Sequence, residues 1–153
     1  MKCLPIFLNQ TDKLFDVILI DAFQGLNVIP FQLTTVEAVL KIYDHLNEDG
    51  IVMVNMIGSF TGKGSKFILS EVPIYQEMFQ QVYLFPLQEP DNSSRRQNII
   101  LVATKNDLQP DWITGAQWGD QILTQRWMEP LAKAPVLLTD DYAPVEYFGR
   151  LGL

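Results

Sequence analysis

Phe15-Asp-Val-Ile-Leu-Ile-Asp-Ala-Phe23 is the stretch whose reading decides the fold. Its middle, Asp16-Val-Ile-Leu-Ile-Asp21, is a β-branched-rich run between polar flanks. Its apolar residues are consecutive rather than alternating, which is the pattern of a central strand buried on both faces, as in a parallel sheet. Working outward, Gly25 to Pro30 reads as a loop. Thr34 then opens a helix as N-cap, with Glu37 three residues on in a capping-box arrangement. Val36, Val39, Leu40, Tyr43 and Leu46 give that helix one apolar stripe, and Asn47-Glu48-Asp49-Gly50 ends it.

Ile51-Val-Met-Val-Asn55 reads as a second buried strand, followed by a glycine-bearing loop from Gly58 to Gly64. A second helix is expected from about Ser65 to Gln80, kinked or split at Pro73, whose ring removes a helical N–H. Gln81-Val-Tyr-Leu-Phe-Pro86 and Asn98-Ile-Ile-Leu-Val-Ala103 are the third and fourth strands. The polar loop between them, Gln88 to Gln97, has no helical period, which suggests an antiparallel pair at one edge. Asn106 to Trp112 reads as a linker, and a third helix is expected from Ala116 to Trp127. Buried strands alternating with amphipathic helices define an α/β fold with a largely parallel sheet.

The chain has 153 residues, 48% of them apolar and 19% charged, a composition that folds. Lys plus Arg number 11 and Asp plus Glu 18, for a net charge of −7. An acidic surface repels phosphate backbones, so nucleic acid is not an expected partner. The same surface attracts cations, polyamines among them. A single cysteine, Cys3, excludes an intrachain disulfide framework and a multi-cysteine zinc site, and a single histidine, His45, excludes a histidine-rich metal site. No metal is expected. Apolar runs fall far short of the roughly 20 residues that span a bilayer, so no membrane partner is expected either. The apolar start lacks a small-residue cleavage site, and a reduced, cytoplasmic protein is the expectation.

The decisive stretch resembles the middle of a spermidine synthase. The resemblance runs on through Ile29-Pro-Phe-Gln-Leu-Thr-Thr35, Asp49-Gly-Ile-Val-Met-Val-Asn55, Gly64-Ser-Lys-Phe67, Gln97-Asn-Ile-Ile-Leu-Val-Ala103 and Leu138-Thr-Asp-Asp-Tyr-Ala-Pro-Val-Glu146. It is closest to the bacterial spermidine-synthase-like branch, and it covers nearly the whole chain. What it implies is part of a Rossmann-like sheet of the S-adenosylmethionine-dependent methyltransferase type, mostly parallel with an antiparallel edge hairpin. Residues 1–106 would be the C-terminal half of that domain, and 107–153 a helical tail of the same domain. The family moves an aminopropyl group from decarboxylated S-adenosylmethionine to putrescine. Its glycine-rich loop, ribose-binding acid and N-terminal active-site tyrosine lie upstream of the matched region. The expected partners are therefore a polyamine substrate and either further copies of the chain, covering a bare sheet edge, or a partner chain supplying the missing half.

In this resemblance Asp21 matches the first aspartate of the family's Asp-x-x-Asp motif, at the carboxyl end of a strand, and is the expected catalytic residue. The chemistry calls for such a group. An amine with a pKa near 10.4 is free base in only about one molecule in 10³ at neutral pH, a handicap of roughly 4–5 kcal/mol. A carboxylate can hold the cation, orient it and take its proton. The alternative is that Asp21 bonds only loop amides. Gln24 falls where the motif has its second aspartate; it accepts hydrogen bonds but carries no charge, and it is equally readable as a plain loop residue. Asp140 and Asp141 could restore negative charge at the substrate site, or form a solvated turn. Tyr142 could stand for the family's C-terminal active-site tyrosine. Gly58-Ser-Phe-Thr-Gly-Lys-Gly64 has the wrong spacing for a phosphate loop. Beside the transferase stand two other readings: a non-catalytic remnant or binding module of the same fold, and a methyltransferase-like protein.

Overall fold

The computed structural model describes residues 8–24, 28–107 and 114–151. Cys3 and parts of the Gly25–Pro30 loop and of the Asn106–Trp112 linker lie outside them. Among the described residues four strands form one mixed sheet in the order β1-β2-β4-β3, with β1 Phe15–Ile20, β2 Leu46–Gly58, β3 Gln81–Pro86 and β4 Gln97–Thr104. β1 and β2 are parallel, and β4 runs antiparallel to both β2 and β3. Three strands therefore point one way, and the reversed β4 lies between β2 and β3. The α/β class and the antiparallel edge hairpin are as the sequence suggests.

Alternation sorts the sheet into two faces. Ile18 and Ile20, then Val52, Val54 and Met56, then Ile99, Leu101 and Ala103, are all buried on one of them. Helices α1 (Val36–Asp44) and α2 (Lys66–Met78) pack there, and their Val39, Ile42, Ile68 and Val72 join the same core. The other face is only partly covered. Val17 and Leu19 are 55% and 65% exposed. The expectation that Asp16–Asp21 is a central strand buried on both faces is thus corrected: β1 is the edge of the described sheet, and only one of its faces is packed.

Helix α1 is capped one residue later than expected. Thr35, not Thr34, accepts the Ala38 N–H at 3.2 Å, while the Thr34 hydroxyl donates to the Phe31 carbonyl at 2.9 Å and closes a 3-10 turn. Its buried stripe is Ala38, Val39 and Ile42, and Leu40 faces solvent. Helix α2 runs unsplit through Pro73. Two short helices follow, α3 (Gln117–Thr124) and α4 (Val145–Leu151). Between them Trp127 donates its backbone N–H to Leu84 of β3 at 2.8 Å and stacks its ring on Phe60 at 3.9 Å. His45 caps the end of α1, its ring bridging the carbonyls of Lys41 and Thr11.

Candidate active site

Ile20 pairs with Val54 in the parallel β1–β2 ladder, so the next residue, Asp21, comes level with Asn55 at the carboxyl ends of both strands. Both side chains lie on the partly covered face. Asn55 Nδ2 donates to Asp21 Oδ1 at 2.9 Å. Ile57 faces Asn98 across the antiparallel β2–β4 pair, which makes Asn98 a diagonal neighbour of Asn55 on the same face. Asn98 Nδ2 donates to Asn55 Oδ1 at 3.0 Å. Beyond it, Gln88 Nε2 donates to Asn98 Oδ1 at 3.3 Å, and the Asn98 backbone N–H donates to Gln88 Oε1 at 2.9 Å. A run of three amides thus ends on one oxygen of the Asp21 carboxylate. No hydrogen bond among the described residues reaches Oδ2, and Asp21 is exposed.

Gln24 sits three residues on, its backbone paired with Val28 on either side of the loop. Its Nε2 donates to Glu146 Oε1 at 3.2 Å, across 122 residues of sequence. A carboxylate from the first turn of α4 therefore stands beside position 24. An aspartate at 24 would repel Glu146, whereas a glutamine donates to it.

Asp140 is placed elsewhere. Its Oδ1 accepts the Thr35 hydroxyl at 2.6 Å, and its N–H donates to Glu37 Oε2 at 3.1 Å. Two residues earlier the Leu138 carbonyl accepts the Val36 N–H at 3.0 Å. Together these contacts occupy groups left open at the N-terminus of α1, where a negative charge is favoured. Thr139 and Tyr142 exchange backbone hydrogen bonds, Asp141 stands at the tip of that turn, and the Tyr142 side chain is exposed. No hydrogen bond among the described residues joins Asp140, Asp141 or Tyr142 to Asp21 or Gln24. Sequence reasoning missed Asn55, Asn98 and Glu146 as neighbours of the site.

The Gly58–Gly64 loop is tied down rather than open. The N–H groups of Phe60 and Thr61 both donate to the Ser93 carbonyl, at 2.8 and 3.0 Å, and Ser59 donates to Gly64 at 3.3 Å. Among the described residues no three His, Cys, Asp or Glu side chains come together as a metal site, and no helix is long and apolar enough to cross a membrane.

A mixed sheet with an acidic residue at the carboxyl end of a parallel strand places the chain in the Rossmann-like α/β class. No family model matches the chain. The chain is similar to a probable polyamine aminopropyl transferase of Bifidobacterium longum (strain NCC 2705), 28% identical over 157 residues, covering 88% of this chain and 34% of that protein. In structure it is similar to a probable spermidine synthase from Corynebacterium glutamicum ATCC 13032, with a TM-score of 0.59 and 20% identity over 96% of this chain and 48% of that one. Human methyltransferase-like protein 13, solved in complex with SAH, gives a TM-score of 0.48 and 17% identity over 84% of this chain and 55% of that one. The resemblance to spermidine synthases read from the sequence is borne out. The chain spans about a third of the curated relative's length and about half of the solved spermidine synthase.

Proposed function

We propose that the chain is the amine-binding part of a polyamine aminopropyltransferase, which moves an aminopropyl group from decarboxylated S-adenosylmethionine to a polyamine such as putrescine in the reduced cytoplasm. The observation that carries this reading is the exposed Asp21 carboxylate, held by Asn55 at the carboxyl end of β1. In open α/β sheets that edge is where ligands bind. Asp21 holds one ammonium of the amine, takes its proton and leaves the nitrogen lone pair for the new N–C bond. The bound donor supplies the carbon and releases its thioether. Glu146, turned to Gln24 on the neighbouring loop, offers a second anion for a second ammonium.

The described residues fit the amine end of such a site better than the adenosyl end. The glycine-bearing loop after β2 spends three of its N–H groups on its own and the Ser93 carbonyls, so it is not a free cradle. We infer that the adenosyl side of the crevice is built by further protein that pairs beside β1.

Turnover tests the proposal. The chain, combined with protein carrying the family's first half, is given decarboxylated S-adenosylmethionine and 1,4-diaminobutane, and spermidine is followed by mass spectrometry. Asp21→Asn should cut the rate per folded molecule by about 10²–10⁴-fold, the usual share of acid–base catalysis. The melting temperature should move little, because the site is open. An unchanged rate would remove Asp21 from the mechanism.

A further inference from the structure

The amides beside Asp21 are ordered in one direction. Gln88 bonds Asn98 twice, once to its side-chain oxygen and once to its backbone N–H, which fixes which end of the Asn98 amide faces inward. Asn98 then has only donors to present to Asn55, and Asn55 accepts with Oδ1. That leaves the Asn55 NH₂ for Asp21. Asn98 and Asn55 each accept on their Gln88 side and donate on their Asp21 side, an arrangement in which neighbouring bonds reinforce one another. The run is complete only when it ends on an acceptor, and an ionised carboxylate is the strongest one available.

We propose that Asn55, Asn98 and Gln88 are positioning residues that lock the Asp21 carboxylate by its Oδ1 and reserve Oδ2 for the substrate ammonium. This rests on the reading of Asp21 as the amine-holding group. The proton lost when the amine becomes a nucleophile then goes to Oδ2, since Oδ1 is already accepting the Asn55 N–H. Asn98 does so from a strand that contributes nothing else to the site, because the reversed β4 begins at the edge where β1 and β2 end.

A ¹⁵N-labelled full chain reads the relay directly. In the wild type one Asn55 Nδ2 proton is bonded to a carboxylate, so the two protons of that NH₂ resonate far apart. Asn98→Leu should bring them together, as in a solvated amide, without a change in melting temperature. It should also weaken binding of 1,4-diaminobutane by about tenfold, the order of one hydrogen bond to a charged group. Gln88→Ala, in an exposed loop, should give a smaller change in the same direction in both measurements. An Asn55 pair that stays split in Asn98→Leu overturns the relay. A collapsed pair with unchanged diamine affinity overturns its role at the site. Failure of the underlying functional reading shows separately: Asp21→Asn, which keeps an acceptor for Asn55, would then bind the diamine as well as the wild type does.

Discussion

Glu71 gives the chain a pH dependence that a single substitution should erase. The residue is fully buried in α2, and among the described residues neither carboxyl oxygen has a hydrogen-bond partner. Burial alone pushes its pKa well above the ordinary carboxylate value, so the folded chain holds the proton that the unfolded chain gives up. One turn on, Tyr75 is raised by its own burial first and by the Glu71 charge second. Because the folded state binds the extra proton, Glu71's contribution to stability is full below its unfolded pKa and is lost as pH rises. The loss is about 1.4 kcal/mol per pH unit for as long as the fold keeps the proton. Against a total stability of about 5–15 kcal/mol, that is a large share for one residue. Glu71→Gln keeps the shape and cannot titrate. Urea unfolding of both proteins at pH 5, 6 and 7 should therefore show the wild type losing ground to the variant as pH rises, by at most about 1.4 kcal/mol per unit. With a urea slope of about 1–3 kcal/mol per molar, that ceiling corresponds to a change in the gap between midpoints of about 0.5–1.4 M per unit. Subtraction of the two curves cancels every other titrating group. Parallel pH profiles would refute the reasoning and mean that Glu71 is ionised and paired in the fold.

Gly58→Ala would place a methyl 2.5 Å from Cγ1 of the fully buried Ile68 at the end of β2; a loss of about 1–3 kcal/mol is expected from overpacking, read as a lower urea midpoint, and an unshifted midpoint would show that Ile68 can give way. Leu19→Ser alters a side chain that is 65% exposed on the edge strand. Stability should stay within about 0.5 kcal/mol, while sedimentation velocity shows less self-association than the wild type; a wild type that is already monomeric at high concentration would sink this.

Much of the fold was legible because its cues are local. The third strand, Gln81–Pro86, is the stretch the sequence marks, and the fourth gains only one residue at each end. The start of β2 was hidden. Asn47-Glu48-Asp49-Gly50 has turn composition, yet these residues belong to the strand because Phe15 pairs with Leu46 while Val17 pairs with Ile51. The backbones come so close there that a Cβ on Gly50 would sit 3.0 Å from the Phe15 carbonyl oxygen. The capping-box spacing put the helix cap on Thr34; Asp140, brought in from far along the chain, bonds Thr35, which is the residue that caps. Asp21 was legible as an acid at the end of an apolar run. Its neighbours were not, since Asn55 meets Asn98 only through the β2–β4 register, and Glu146 meets Gln24 only after the whole chain has closed.

The reversed strand also fixes an order of events on the ribosome. β4 is the last of the described strands to be synthesised, yet it fills the gap between β2 and β3. Until Gln97–Thr104 has emerged, β2 and β3 have no strand to join them, and each presents an unpaired backbone edge beside apolar side chains. The growing chain is therefore most open to wrong partners just before β4 leaves the exit tunnel, and a transcript cut short at that point leaves the β1–β2 pair and a lone β3 instead of a smaller sheet.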